Sequence, residues 1–288
     1  MDFMHKDTID AFLAKHKPSS GEVPGPWLWV RLPHADDTEG KAGEELGEED
    51  DTYVKLTKEG QPLVDKMMAR LDEIKETAPV RANKSKGLRS QKDLREETYE
   101  QFKADVKELA QKHHVLSGKW LFYPQSENVD FTWSKLVRAI VDKDGALAKT
   151  GHVHTAKVAT TPKIEGERSS FVVCVYCDDS YDEDAVGDVF KVLVKDLSMT
   201  SQSFKPDVLT LLGIDSQHPS KLPVSLYKKT TFMTQDELNA QYEASSKAKK
   251  AKDKTLDEEV AAGAADGFDP VSESEDEQPR KKKVKTKK

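Results

Sequence analysis

The sequence predicts an α+β domain followed by a charged tail. Short runs rich in β-branched and aromatic residues ("WLWV", "KWLFY", "HTAKVAT", "SSFVVCVYC") alternate with longer segments whose apolar residues recur every three or four positions. One of the short runs, "FVVCV", is wholly apolar, the pattern of a strand covered on both faces. Hydrophobic residues make up only 36% of the 288 and charged residues 34%, so part of the chain cannot enter a core. That part is the stretch from about Ala244, which is charged, rich in small residues and poor in aromatics. The expected division is a domain over residues 1–243 and a disordered tail over 244–288.

Residues 7–16, "DTIDAFLAKH", predict a short helix with Asp7 as N-cap and Ile9, Phe12, Leu13 and His16 on one stripe. "KPSSGEVPGP" breaks structure, and "WLWV" predicts a strand. Residues 36–51 hold nine acidic residues and one lysine, which predicts a solvated loop inserted in the domain. "QPLVDKMMARLDEIKETAP" predicts a helix with Pro62 at its first position, Leu63, Met67, Leu71 and Ile74 on one face, and Pro79 as its stop. Residues 81–92 predict a basic, flexible joint. A helix follows from about Asp93 to His114 on Leu94, Phe102, Val106, Leu109 and His113.

"LSGKWLFYP" predicts a turn and a strand. "NVDFTWSKLVRAIVDKDG" predicts a helix on Val129, Trp133, Leu136, Val137, Ile140 and Val141, with Gly145 after its end. "HTAKVAT" and "SSFVVCVYC" predict strands. "SYDEDAVGDVFKVLVKDL" predicts a helix with acidic residues in its first turn, where the dipole favours them. "SFKPDVLTLLGI" predicts a strand that its proline confines to an edge or a bulge. Thr234 and Glu237 predict a capping box for a last helix.

Motifs for chemistry are absent or incomplete. Cys174 and Cys177 form a C-x-x-C, but inside a strand, where positions i and i+3 face opposite sides, so two packed cysteines are expected. His152 and His154 would share a face if extended, but nothing at recognisable spacing supplies further ligands. "SGKW" is a turn and not a phosphate loop, and there is no nucleophile elbow, zincin motif or dinucleotide fingerprint. The sequence therefore predicts a non-enzymatic protein with no catalytic residue, metal or cofactor. Two cysteines build no disulfide framework, the N-terminus "MDFMHKDTIDAF" has no apolar run of signal-peptide length, and no run of about 18 apolar residues can span a bilayer. The expectation is a monomer of nucleus and cytoplasm with no membrane partner. The net charge of −7 argues against a general nucleic-acid binder but leaves room for local basic patches.

The tail ends in "PRKKKVKTKK", whose Arg280, Lys281, Lys282, Lys283 and Lys285 form a nuclear-import or nucleic-acid patch. Before it lies "SESEDE", in which Ser272 and Ser274 each have an acidic residue three positions on, the pattern of an acid-directed phosphorylation site.

Residues 117–160 run through a Gly-basic-Trp strand, a helix carrying "VDFTW" and a strand carrying lysine. This order resembles the second half of the cap-binding translation initiation factor 4E, and continues through the apolar strand and acidic-start helix of 171–197. The whole stretch from "WLWV" to "KPDVLTLLGI" is more closely similar to an uncharacterised family named after a basophilic leukaemia-expressed protein, which is considered to share that fold. The resemblance covers most of residues 1–230. It implies a curved antiparallel sheet with helices on the convex face. In the initiation factor, two tryptophans on concave-side loops sandwich the cap base, a glutamate reads its edge and basic residues hold the phosphates. Here "ETYEQFKADVKELAQKHHVL" stands where that family places its Trp-Glu pair and contains no tryptophan. The helix from Pro62 also lacks the tryptophan that docks partner peptides. Trp120 and Trp133 match core tryptophans, and the match implies that one of Trp27 and Trp29 is core and the other at a rim.

Two functional readings follow. In the first, RNA or a nucleotide binds the concave face without cap recognition: Lys119, Lys157, Lys163 and Lys205 hold phosphates, and Trp29 or Tyr123 offers a stacking face. In the second, the protein is an adaptor that engages partners through the acidic loop 36–51 and the charged tail.

Overall fold

The computed structural model describes residues 8–23, 25–32, 51–162, 169–199 and 203–244. Five strands form one antiparallel sheet: β1 (Trp27–Arg31), β2 (Gly118–Phe122), β3 (Val153–Ala159), β4 (Val173–Cys177) and β5 (Ser203–Pro206), in the order β1-β3-β4-β2-β5. The near-continuous apolar strand β4 is indeed central, and β5, which ends in proline, is an edge.

One face of the sheet is sealed by α4 (Ser126–Val141) and α5 (Glu183–Lys195). Strand alternation sends Leu28 and Val30, Ala156 and Val158, Val173, Val175 and Cys177, Trp120 and Phe122, and Phe204 to this side, where all are buried. The helices meet them with Val129, Trp133, Leu136, Val137 and Ile140, and with Val186, Val189, Phe190 and Leu193, the residues their 3.6 periodicity predicts. Trp120 lies at the centre, its ring 4.8 Å from Phe190 and 5.1 Å from Phe204. Both Trp120 and Trp133 are core, as expected. Gly118 is forced by this packing: a Cβ there would lie 2.3 Å from Ser180 Oγ and 2.8 Å from the Phe204 ring.

A second apolar cluster joins the helical pair α2 (Asp51–Thr77) and α3 (Gln91–Lys112) to the short helix α6 (Asp207–Leu211) through Leu56, Val64, Met67, Phe102, Val106, Leu109, Val208 and Leu212. The sequence reading is corrected here in three places. Pro62 does not open α2; it lies inside it, exposed, eleven residues after the start. A helix-interior proline removes one backbone hydrogen bond and its ring crowds the preceding turn, together costing about 3 kcal/mol. The turns before it persist because Leu56 and Gly60 are buried against the cluster, and Gly60 is so close to Leu212 that a Cβ would sit 2.3 Å away. The segment "SFKPDVLTLLGI" is not one strand: β5 stops at Pro206 and α6 begins at Asp207, because Val208, Leu209 and Leu212 complete the second cluster only at helical spacing. Residues 81–92 are not a loose joint. Asn83 and Leu88 exchange backbone hydrogen bonds of 2.9 and 3.0 Å, and the Ser90–Asp93 capping box starts α3 at Gln91.

Helix α1 (Ile9–Lys15) is capped by Thr8, whose side chain accepts from Ala11 N; the expected cap, Asp7, lies outside the described residues. After the short α7 (Lys229–Phe232), residues 235–244 are helical, opened by the Thr234–Glu237 box as expected. Among the described residues no helix is long and apolar enough to cross a membrane. Nearly all of the acidic loop (36–50) and the tail beyond 244, with Ser272, Ser274 and the Arg280–Lys285 basic run, lie outside the described residues.

Candidate functional site

The sheet face opposite the core gathers most of the residues that the sequence singled out. Alternation puts Trp27 and Trp29 of β1, Lys157 of β3, Cys174 and Tyr176 of β4, Lys119 of β2 and Lys205 of β5 on this side. Register then makes them neighbours. Trp29 is opposite Lys157, and Lys157 opposite Cys174. In the adjacent row Tyr176 is opposite Lys119, and Lys119 opposite Lys205. Lys163 lies outside the described residues. Tyr123 follows β2 on the same alternation and is half-buried; burial raises its hydroxyl pKa.

The first-strand tryptophans correct the expectation that one is core. Both are half-buried on this second face, while Leu28 and Val30 between and beyond them fill the core. The physical reason is the strand period itself: residues two apart cannot be split between core and rim when one face of the strand is sealed.

Lys157 lies across the aromatic rings. Its Nζ is 4.4 Å from the Trp27 ring centroid, 4.6 Å from Trp29 and 5.5 Å from Tyr176, distances at which a cation is held by ring quadrupoles. The Trp29 and Tyr176 rings are near-parallel, 19° between planes with centroids 6.3 Å apart. Lys119 Nζ is 5.2 Å from the Tyr176 ring and donates to Asp207 Oδ1 at 2.5 Å, while Ser117 Oγ donates to Asp207 Oδ2 at 2.8 Å.

The charges do not balance. Asp207 answers Lys119, but Lys157 and Lys205 have no carboxylate partner among the described residues. Burial lowers the pKa of both, and the Lys119 charge pushes the same way. Lys157 is part-buried and Lys205 is buried; the described side-chain polar atoms that are both solvent-free and unpaired are Trp133 Nε1 and Ser180 Oγ. The face is thus a cationic, aromatic-floored surface on which Lys157 is part-exposed, whereas Lys205 is buried at 7% exposure.

The remaining chemistry-bearing residues take structural roles. Cys174 and Cys177 point to opposite faces, both buried, and burial pushes the Cys174 thiol up to about 11. His154 Nδ1 lies 2.8 Å from Asp178 Oδ1, and His152 precedes β3. Among the described residues no three metal-ligating side chains converge. A cleft of about 490 Å³ lies elsewhere, lined by Tyr227, Lys228, Lys229, Gln235 and Tyr242, and shares no residue with the lysine–tryptophan face.

The sequence missed Tyr176, Asp207 and the part of Trp27. Tyr176 sits in a strand with no polar alternation to reveal its face, and the local pattern of "SFKPDVLTLLGI" places Asp207 mid-strand. The pairing of Trp27 with Trp29 was the available signal: two large aromatics at i and i+2 must share a surface.

The sequence profile of the basophilic leukemia-expressed protein Bles03 family matches residues 3–213, a span that runs from before α1 through α6 and so contains every residue of the lysine–tryptophan face. With nearly three quarters of its length matched, the chain belongs to the Bles03 family.

Proposed function

We propose that this protein is a non-enzymatic binding protein of initiation factor 4E-like architecture, and that the lysine–tryptophan face binds RNA or a nucleotide without recognition of a methylated cap. What supports the architecture is the five-strand antiparallel sheet with α4 and α5 on one face only. What carries the binding reading is one observation: Trp27, Trp29 and Tyr176 share a face with Lys157, Lys119 and Lys205, and among the described residues Asp207 is the one carboxylate ion-paired with any of these lysines, Asp215 acting on Lys205 from beyond ion-pair distance. Aromatic faces take bases in a sequence-tolerant way, and lysines hold phosphates. The segment where the cap-binding factor keeps its Trp-Glu pair is α3 here, whose Phe102, Val106 and Leu109 face the second cluster, so no sandwich of that kind is assembled from it.

The test is fluorescence titration of the full chain with short single-stranded RNA and with mononucleotides at several salt concentrations. Binding should weaken steeply with salt, fall at least tenfold in Lys205→Glu and in Trp29→Ala, and show no preference for a methylated guanine. Failure to bind either probe at low salt, or binding indifferent to both substitutions, overturns the proposal.

A further inference from the structure

We infer that Lys157 is a movable lid on the tryptophan platform, and that it makes the face selective for bases that carry a phosphate over bare nucleosides. The inference rests on the binding reading above and adds a specificity residue to it.

The argument starts from what a flat ligand would meet. Trp27 and Trp29 are part-buried, and Lys157 Nζ lies 4.4 and 4.6 Å from their ring centroids. A base can stack there only if this ammonium moves off. No carboxylate among the described residues is ion-paired with it, so its hold is the ring contacts and the weaker pull of the Asp207 charge. A bare nucleoside would replace those contacts and leave the cation with no counter-charge. A nucleotide brings its own anion, and the displaced ammonium pairs with the phosphate. A charge-assisted contact to phosphate is at least as strong as a cation–π contact, so the exchange favours the ligand that carries the anion. Lys119 is committed to Asp207 and Lys205 is buried three strands from Lys157, which leaves Lys157 as the group beside the tryptophans that answers a phosphate. The same charge count disfavours a competing cationic ligand: an aromatic cage holding one ammonium beside two further lysines is a poor host for a second positive charge.

The test compares the wild-type chain with Lys157→Ala, by calorimetry and tryptophan fluorescence, against the four common ribonucleosides and their 5′-monophosphates. Lys157→Met retains the side-chain bulk without the charge and serves if alanine impairs folding, and Lys205→Ala is the second comparison. The expected result is a crossed effect. For at least one base, the wild type prefers the monophosphate by about tenfold or more. Removing the lysine weakens the monophosphate by about tenfold and, in the alanine variant, strengthens the nucleoside by threefold or more. In the methionine variant the phosphate preference collapses while nucleoside binding stays low. If the monophosphate binds but the discrimination disappears in Lys205→Ala and survives in Lys157→Ala, the lid is wrong and the binding reading stands. Should neither protein bind any probe, both fall. Capture of a trimethyllysine peptide by Lys157→Ala, with no monophosphate binding by wild type, also overturns the inference.

Discussion

Replacing Asp207 by asparagine should be among the most destabilising single-charge changes in this protein. Asp207 accepts from Lys119 Nζ at 2.5 Å and from Ser117 Oγ at 2.8 Å, and the two charged side chains are only 17% and 11% exposed. At an effective dielectric constant of about 20, unit charges about 4 Å apart attract by about 4 kcal/mol. Most of that offsets desolvation, so the pair itself adds little net stability. Breaking it is another matter, because Lys119 is then left nearly buried beside Lys157 and Lys205, with no carboxylate of its own and only the Asp215 charge acting on Lys205. Removing one partner of a buried pair costs about 3–5 kcal/mol. For a domain of this size that lowers Tm by roughly 6–20 °C. The assay is urea denaturation followed by tryptophan fluorescence, with Lys119→Met added in a second variant. The double variant removes the stranded cation and should recover at least half the loss. A loss below about 1 kcal/mol, or a double variant no more stable than Asp207→Asn alone, refutes the view that this carboxylate neutralises the face.

Two further expectations follow. Trp120→Ala should cost about 3–5 kcal/mol, as for any large core aromatic, whereas Trp29→Ala should cost about 1–2 kcal/mol, in line with half-burial; equal losses in denaturant would place Trp29 in the core and remove the platform. Stability should also fall in alkali through Cys174, whose thiol is raised to about 11 from an ordinary value of 9.0. Because the folded value is the higher one, the protonated thiol stabilises fully below about pH 9 and loses that contribution as pH rises through about 11. The two-unit rise is worth up to about 2–3 kcal/mol. Denaturation midpoints between pH 7.5 and 11 should therefore decline less steeply in Cys174→Ala than in wild type, and parallel curves would show that this thiol does not contribute.

The sequence alone determined which segments are helix and which are strand wherever apolar period was strong: α3, α4 and α5, and strands β1 to β4, follow from side-chain spacing because local geometry fixes which residues share a face. It also picked out Trp29, Lys119, Lys157 and Lys205, since large aromatics and lysines inside strands are conspicuous. Only the tertiary structure decided that these residues share one face of one sheet. Trp29 and Lys205 are separated by most of the chain and lie on opposite edge strands, and nothing local encodes the order β1-β3-β4-β2-β5 that lines them up. The helical start of α2 before Pro62 and the turn from β5 into α6 were illegible for a related reason. In both, long-range burial against the second cluster outweighs a local proline signal, and burial of that kind is a property of partners distant in sequence. The same holds for charge: the face owes its excess of ammonium groups to Asp207 reaching Lys119 and no other lysine, a choice made by packing at the β5–α6 junction and invisible in a chain whose net charge is −7.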